Sequence, residues 1–220
     1  MRVEQLRTGA EARISNEDGR LVAVLVNGGT AKPVPGTWSA TSELLAVQLA
    51  PRFPNVSFVE VRYRVKTWKA LDSCIQDADA ALELAASNGA RATLLVGFSM
   101  GGAVAIGVVD AAAVAGVLGL APWIPPELPV DGLRGKRFDV VHGAWDRYLP
   151  GIPGVSPGHS RVAWQRARRL GAEGTYSVIP RGLHGCAVRS RRGGLVRLPR
   201  WRAWVEHTAA GIERFAAAAA

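Results

Sequence analysis

Residues 93–105, TLLVGFSMGGAVA, constrain this chain more than any other stretch. Residues 93–96 are a short apolar and β-branched run, the pattern of a buried strand. Gly97, Phe98, Ser99, Met100 and Gly101 follow, and residues 102–106 continue with small residues and helix formers. Strand, glycine-flanked turn and helix are the context in which a G-x-S-x-G sequence carries chemical meaning. So sharp a turn leaves no room for a Cβ at positions 97 and 101, which explains glycine at both. It would hold the Ser99 hydroxyl in the open at the start of a helix. The same residues also fit a plainer role, a glycine-rich helix start that packs closely or holds an anion.

The rest of the chain supplies a framework for such a turn. At 220 residues, 48% hydrophobic and 20% charged, it is expected to fold as one globular domain spanning residues 1–220. Residues 3–15 alternate weakly around Thr8-Gly9, as a small hairpin would. The stretches at 21–26, 56–61, 93–96, 116–120, 138–143 and 176–179 read as strands, with 21–26 a continuous apolar run. Helices are expected at 42–50, 68–88, 160–170 and 199–218, besides the one that follows Ser99. Thr67 and Ser160 are candidate caps, and Gly89 and Gly171 candidate stops. In the second helix Leu71, Cys74, Ile75, Ala78, Leu82 and Ala85 share one face. Alternating strands and helices predict an α/β fold: a mostly parallel, twisted sheet with helices on both faces. Only about seventeen residues, rich in proline and glycine, separate the strands near 120 and 138. That is too short for a packed lid domain, so no lid and a shallow, open site are expected.

Charge and cysteine content narrow the function classes. The net charge of +9 is mostly arginine, with lysine only at positions 32, 66, 69 and 136. Such a charge fits an anionic substrate, a nucleic-acid surface or a solvated basic surface; no nucleic-acid-binding motif accompanies it, so the solvated surface is expected and no nucleic-acid partner. The two cysteines, Cys74 and Cys186, make neither a disulfide framework nor a metal-spacing motif, so no metal or cofactor is implied. No run of apolar residues is long enough to span a bilayer, and the N-terminal residues lack a signal-peptide core. A soluble, cytoplasmic protein without a membrane partner is expected.

With its GFSMGG turn in that context, the chain resembles the α/β-hydrolase superfamily, and the likeness extends over nearly its whole length. The resemblance implies a compact α/β-hydrolase core without a lid and a small-molecule ester as substrate. Ser99 would be the nucleophile, with an acid and then a histidine further along the chain. The segment HGAWDRYLP at 142–150 is similar to the family's acid loop, which makes Asp146 the acid. Asp139, inside a strand, is the rival. Arg181-Gly182-Leu183-His184-Gly185 matches the family's histidine loop, which makes His184 the base. His142 is then expected to order the acid loop, His159 to lie on the surface and His207, within a helix, either to pack or to face solvent. The oxyanion hole would use the backbone N–H of Met100 and that of Gly29 or Thr30. The family often has His-Gly where this chain has Asn27-Gly28-Gly29. Trp68, Trp123 and Tyr148 either wall a substrate pocket or belong to the core. Arg62 and Arg64 either meet a substrate carboxylate or sit on the surface.

The implied activity is a serine hydrolase, carboxylesterase-like, cleaving carboxylic esters through an acyl-enzyme. Thioesterase, peptidase and acyltransferase chemistry would use the same triad, and a non-catalytic binding protein could keep the fold. A cysteine in place of Ser99 would have suggested a dienelactone hydrolase, and an aspartate a haloalkane dehalogenase.

Overall fold

The computed structural model describes residues 1–147 and 154–219. Its strands are β1 (Arg2–Gln5), β2 (Glu11–Ser15), β3 (Leu21–Val26), β4 (Val34–Pro35), β5 (Val56–Arg62) and β6 (Val65–Lys66). They continue as β7 (Ala92–Phe98), β8 (Val114–Leu120), β9 (Arg137–Gly143), β10 (Tyr176–Ile179), β11 (Ala187–Arg189) and β12 (Leu195–Arg197). The helices are α1 (Ala40–Leu49), α2 (Leu71–Ser87), α3 (Gly101–Gly107), α4 (Pro157–Arg169) and α5 (Trp201–Ala218). None is long and apolar enough to cross a membrane among the described residues.

Eight strands form one sheet in the order β1-β2-β5-β3-β7-β8-β9-β10. Pairing is parallel from β5 through β10 and antiparallel at the β1–β2 and β2–β5 edge. The edge hairpin turns at Gly9, whose φ of +88° only glycine adopts readily. The apolar runs β3 and β7 lie side by side in the middle of the sheet, with Val24 between Val59 and Leu95. One apolar layer packs α2, α3 and α4 on one face of the sheet, and a second packs α1 and α5 on the other.

This topology fixes where a site can form. From β3 the chain passes through α1 to β5 on one side, then returns through α2 to β7 on the other. Loops leaving the carboxyl ends of β3 and β7 therefore diverge to opposite faces and open a crevice between them.

Local signals placed most elements, and the departures have physical reasons. Helix α4 starts at Pro157 with Ser156 as its cap, not at Ser160. Proline suits a first helical turn because its φ is preset and it lacks an N–H. Ser160 is instead buried inside the helix. After β10 the chain also forms the β11–β12 hairpin, around Gly193 at φ +83°. Residues 121–136 hold a single 3-10 turn at Asp131–Leu133, with Ile124, Val130 and Leu133 buried in the core. They add no lid domain between β8 and β9.

Candidate active site

Ser99 sits between β7 and α3 with φ +56°, a left-handed conformation that is strained for a serine. Its backbone is held from both sides. The Ser99 N–H donates to the Leu120 carbonyl at 3.0 Å, and the Ser99 carbonyl accepts from Gly102 at 2.9 Å and Trp123 at 2.8 Å. A Cβ at Gly97 would lie 2.4 Å from the Gly101 carbonyl oxygen, and one at Gly101 would lie 2.2 Å from that of Val26. The glycines thus allow α3 to start directly against β7 and the end of β3.

The acid and histidine loops leave neighbouring strands and are stitched together. Ala144 donates to the Ile179 carbonyl at 3.0 Å and Trp145 to the Gly182 carbonyl at 2.9 Å. A Cβ at Gly143 would meet the Gly182 oxygen at 2.4 Å, so only glycine permits the approach. Gly185, at φ +86°, turns the chain back, and the His184 ring packs on Phe98 with centroids 5.0 Å apart. His184 Nδ1 lies 2.7 Å from Asp146 Oδ2. With Nδ1–H donating to the carboxylate, Nε2 carries the lone pair of a general base. No hydrogen bond links Ser99 Oγ to His184 among the described residues, although both line the same cavity.

Asp146 is buried, 2% exposed, yet every side-chain oxygen is partnered. Oδ1 accepts from Val155 N–H at 2.9 Å, while Oδ2 faces both His184 and His142 Nε2, the latter at 3.1 Å. Burial works to raise its pKa, but the hydrogen bonds from His142 and His184 outweigh burial and hold it below the usual carboxylate value. His142 is itself wholly buried. Its Nε2 also lies 2.7 Å from the Val155 carbonyl, and its Nδ1 lies 2.8 Å from Ser160 Oγ. Two oxygens at Nε2 require a proton there, so Nδ1 accepts from the serine hydroxyl. His142 therefore orients the acid loop, as its place at a strand end suggested, and Ser160 is the partner that sequence reading missed.

The loop after β3 completes the rim. Asn27 Oδ1 accepts the Gly28 N–H at 2.6 Å, and Asn27 Nδ2 donates to the Thr37 carbonyl at 3.0 Å. The N–H groups of Gly29, Thr30 and Met100 have no partner among the described residues. A Cβ at Gly29 would lie 2.2 Å from Met100 Sδ, so this backbone rests directly on the residue after Ser99. Thr30 is tethered further out, with Oγ1 2.8 Å and 2.9 Å from the Lys32 and Lys66 carbonyls. Of the two expected donors, Gly29 is the one packed against the turn.

Other candidates fall elsewhere. Asp139 is a structural anchor within β9, accepting from Thr175 N–H at 2.7 Å and pairing with Arg137 and Arg214. His159 is not simply a surface residue: its Nε2 accepts the Ile124 N–H at 3.2 Å and holds the segment after β8. Arg62 pairs with Glu11, and Arg64 pairs with Asp77 at 2.8 Å. Trp68 borders Ser99 in a cavity of about 730 Å³ and, with Trp123, in a smaller one of about 160 Å³. Tyr148 lies outside the described residues. The larger cavity is an open groove beside Ser99. Its far wall is Ala187, Val188 and Arg189 of the hairpin strand β11, an element absent from the sequence-based expectation.

The chain matches no protein-family model and no curated protein sequence. Its fold does match solved structures. An α/β serine hydrolase homologue from Coxiella burnetii aligns with a TM-score of 0.66 and 16% identity, over 96% of this chain and 95% of that one. A carboxylesterase from Mesorhizobium loti aligns at 0.62 and 19% identity, over 91% and 94%. An α/β serine hydrolase without a lid, from Xanthomonas campestris, aligns at 0.58 and 16% identity, over 83% and 84%. The chain has the α/β-hydrolase fold, with no lid domain among the described residues.

Proposed function

We propose that this protein is a serine hydrolase of carboxylic esters, with Ser99 as nucleophile, His184 as general base and acid, and Asp146 as the carboxylate that orients it. The observation that carries the proposal is the 2.7 Å contact between His184 Nδ1 and buried Asp146, beside a serine in a strained turn. A serine hydroxyl is a weak nucleophile unless a base takes its proton, and the base needs a fixed tautomer. Catalytic hydrogen bonds to a nucleophile are often long before substrate binds and tighten in the complex.

Ser99 Oγ attacks the ester carbonyl carbon while its proton passes to His184 Nε2. Negative charge on the carbonyl oxygen is met by the N–H groups of Met100 and Gly29. The imidazolium is stabilised by Asp146 and then protonates the departing alcohol, which leaves an ester between the acyl group and Ser99. Water, deprotonated by His184, attacks that ester; the acid departs and Ser99 regains its proton. The fold shared with a carboxylesterase also supports an ester as substrate.

A fluorophosphonate probe tests the assignment. Intact-mass analysis should show one adduct, mapped to Ser99 and lost in Ser99→Ala. Labelling elsewhere, or none in folded protein, would leave a non-catalytic protein on this fold.

A further inference from the structure

The larger cavity beside Ser99 contains a cationic side chain that neither the fold nor the proposed chemistry uses. Lys66 ends β6, and its pairing with Val34 in β4 lays it along the loop after β3. Thr30 Oγ1 lies 2.9 Å from the Lys66 carbonyl and ties its backbone to that loop. The Lys66 ammonium donates to Thr37 Oγ1 at 2.7 Å, and no carboxylate among the described residues pairs with it. The side chain is only partly exposed, and burial holds its pKa below the ordinary lysine value. An ammonium held in place without a counter-charge favours an incoming anion.

Nearby charges cancel, and Lys66 remains. Arg189, also in the cavity wall, donates to Glu43 at 2.8 Å. Glu43 also takes Arg13 at 3.1 Å, and Arg13 pairs with Glu60 at 2.7 Å. Two guanidinium groups thus face two carboxylates. The Asp146 charge is buried and shared by His184, His142 and the Val155 N–H. No Asp or Glu lines the cavity among its described residues. On the other side of Ser99, the smaller cavity is bordered by Trp68, Met100, Trp123 and Val155, and suits an uncharged group.

We propose that Lys66 recognises a carboxylate on the substrate, so that this protein prefers monoanionic esters, with one uncharged half and one carboxylate-bearing half, over neutral ones. The proposal rests on the ester-hydrolase function above. A single uncompensated charge matches a single carboxylate, and the Thr37 hydroxyl that fixes the ammonium leaves two of its three N–H donors for the anion.

The test uses two substrate pairs, each differing by one carboxylate. One pair is para-carboxyphenyl acetate against its methyl ester; the other is mono-para-nitrophenyl glutarate against para-nitrophenyl pentanoate. Each kcat/KM is normalised to the substrate's uncatalysed alkaline hydrolysis. Wild type should prefer the charged member of at least one pair by about tenfold or more. Lys66→Met should bring that ratio close to one, and Lys66→Arg should retain most of it. The ratio is taken within one preparation, so loss of folded protein does not alter it. Equal rates in both pairs, or a preference that survives Lys66→Met, would overturn the assignment. If the neutral esters are still hydrolysed in a Ser99-dependent way, only the role of Lys66 fails. If no ester is hydrolysed in that way, the ester-hydrolase function fails and the assignment falls with it.

Discussion

His142 is fully buried, so in the proposed site it would act without touching substrate. Its Nε2–H bridges Asp146 and the Val155 carbonyl, so the carboxylate that orients His184 is itself held in place. His142→Ala should lower kcat by about 10–100-fold with little change in KM, because misplacing the acid costs orientation rather than binding. His142→Gln keeps an N–H donor near the same position and should recover part of the loss. Steady-state kinetics on a neutral ester, beside a thermal melt of each variant, separate this from simple destabilisation. The cysteines lie at the other extreme. Burial pushes the thiol of Cys74 up to about 11 and that of Cys186 up to about 12, and neither is exposed. A disulfide reagent at mildly alkaline pH should leave both unmodified in native protein and titrate both after denaturation.

The turn between β7 and α3 depends on close backbone approach. Gly101→Ala would drive a Cβ to 2.2 Å from the Val26 carbonyl oxygen, part of a strand that cannot yield without disturbing the sheet. That variant should lose about 3 kcal/mol of stability, seen as a lower urea midpoint, along with labelling at Ser99. This turn was legible because everything that defines it is local: a β-branched run, three glycines and a serine within thirteen residues. The strand β3 was legible for the same reason, being apolar throughout. The hairpin β11–β12 was not. Its strands are three residues each, arginine-rich and largely exposed, so burial leaves no pattern in them. Yet β11 walls the cavity beside Ser99, and its one local signal was the Gly193-Gly194 turn. The start of α4 was misplaced because Ser156 and Ser160 both resemble caps; Pro157 favours Ser156, and Ser160 is buried against His142.

Across the whole molecule the sheet is tied together by contacts that sequence order hides. Asp139 in β9 binds Arg214 of α5, 75 positions away, at 3.1 Å, as well as Arg137 and Thr175. Reading residue by residue could reject Asp139 as the acid but could not find this partner. Burial works to raise its pKa; the Arg137 and Thr175 hydrogen bonds and the Arg214 charge outweigh burial and lower it. A carboxylate depressed in the folded state binds protons more readily when unfolded. Its stabilisation is therefore complete above the unfolded value of about 3.9 and is lost as pH falls through the lower folded value. Asp139→Asn should be about 2 kcal/mol less stable than wild type at neutral pH. The gap should narrow in acid, as urea titrations across that range would record.

In the proposed function, loops leaving β7, β9 and β10 make Ser99, Asp146 and His184 act as one unit. Kinetics of Ser99→Ala, His184→Ala and the double variant test it most directly on a neutral ester. Each single variant should lower kcat by about 10³-fold or more, and the double variant should fall no further than the poorer single, since removing one member already disables the unit. A double variant whose loss equals the product of the two single losses would mean the residues act independently, and would contradict the account.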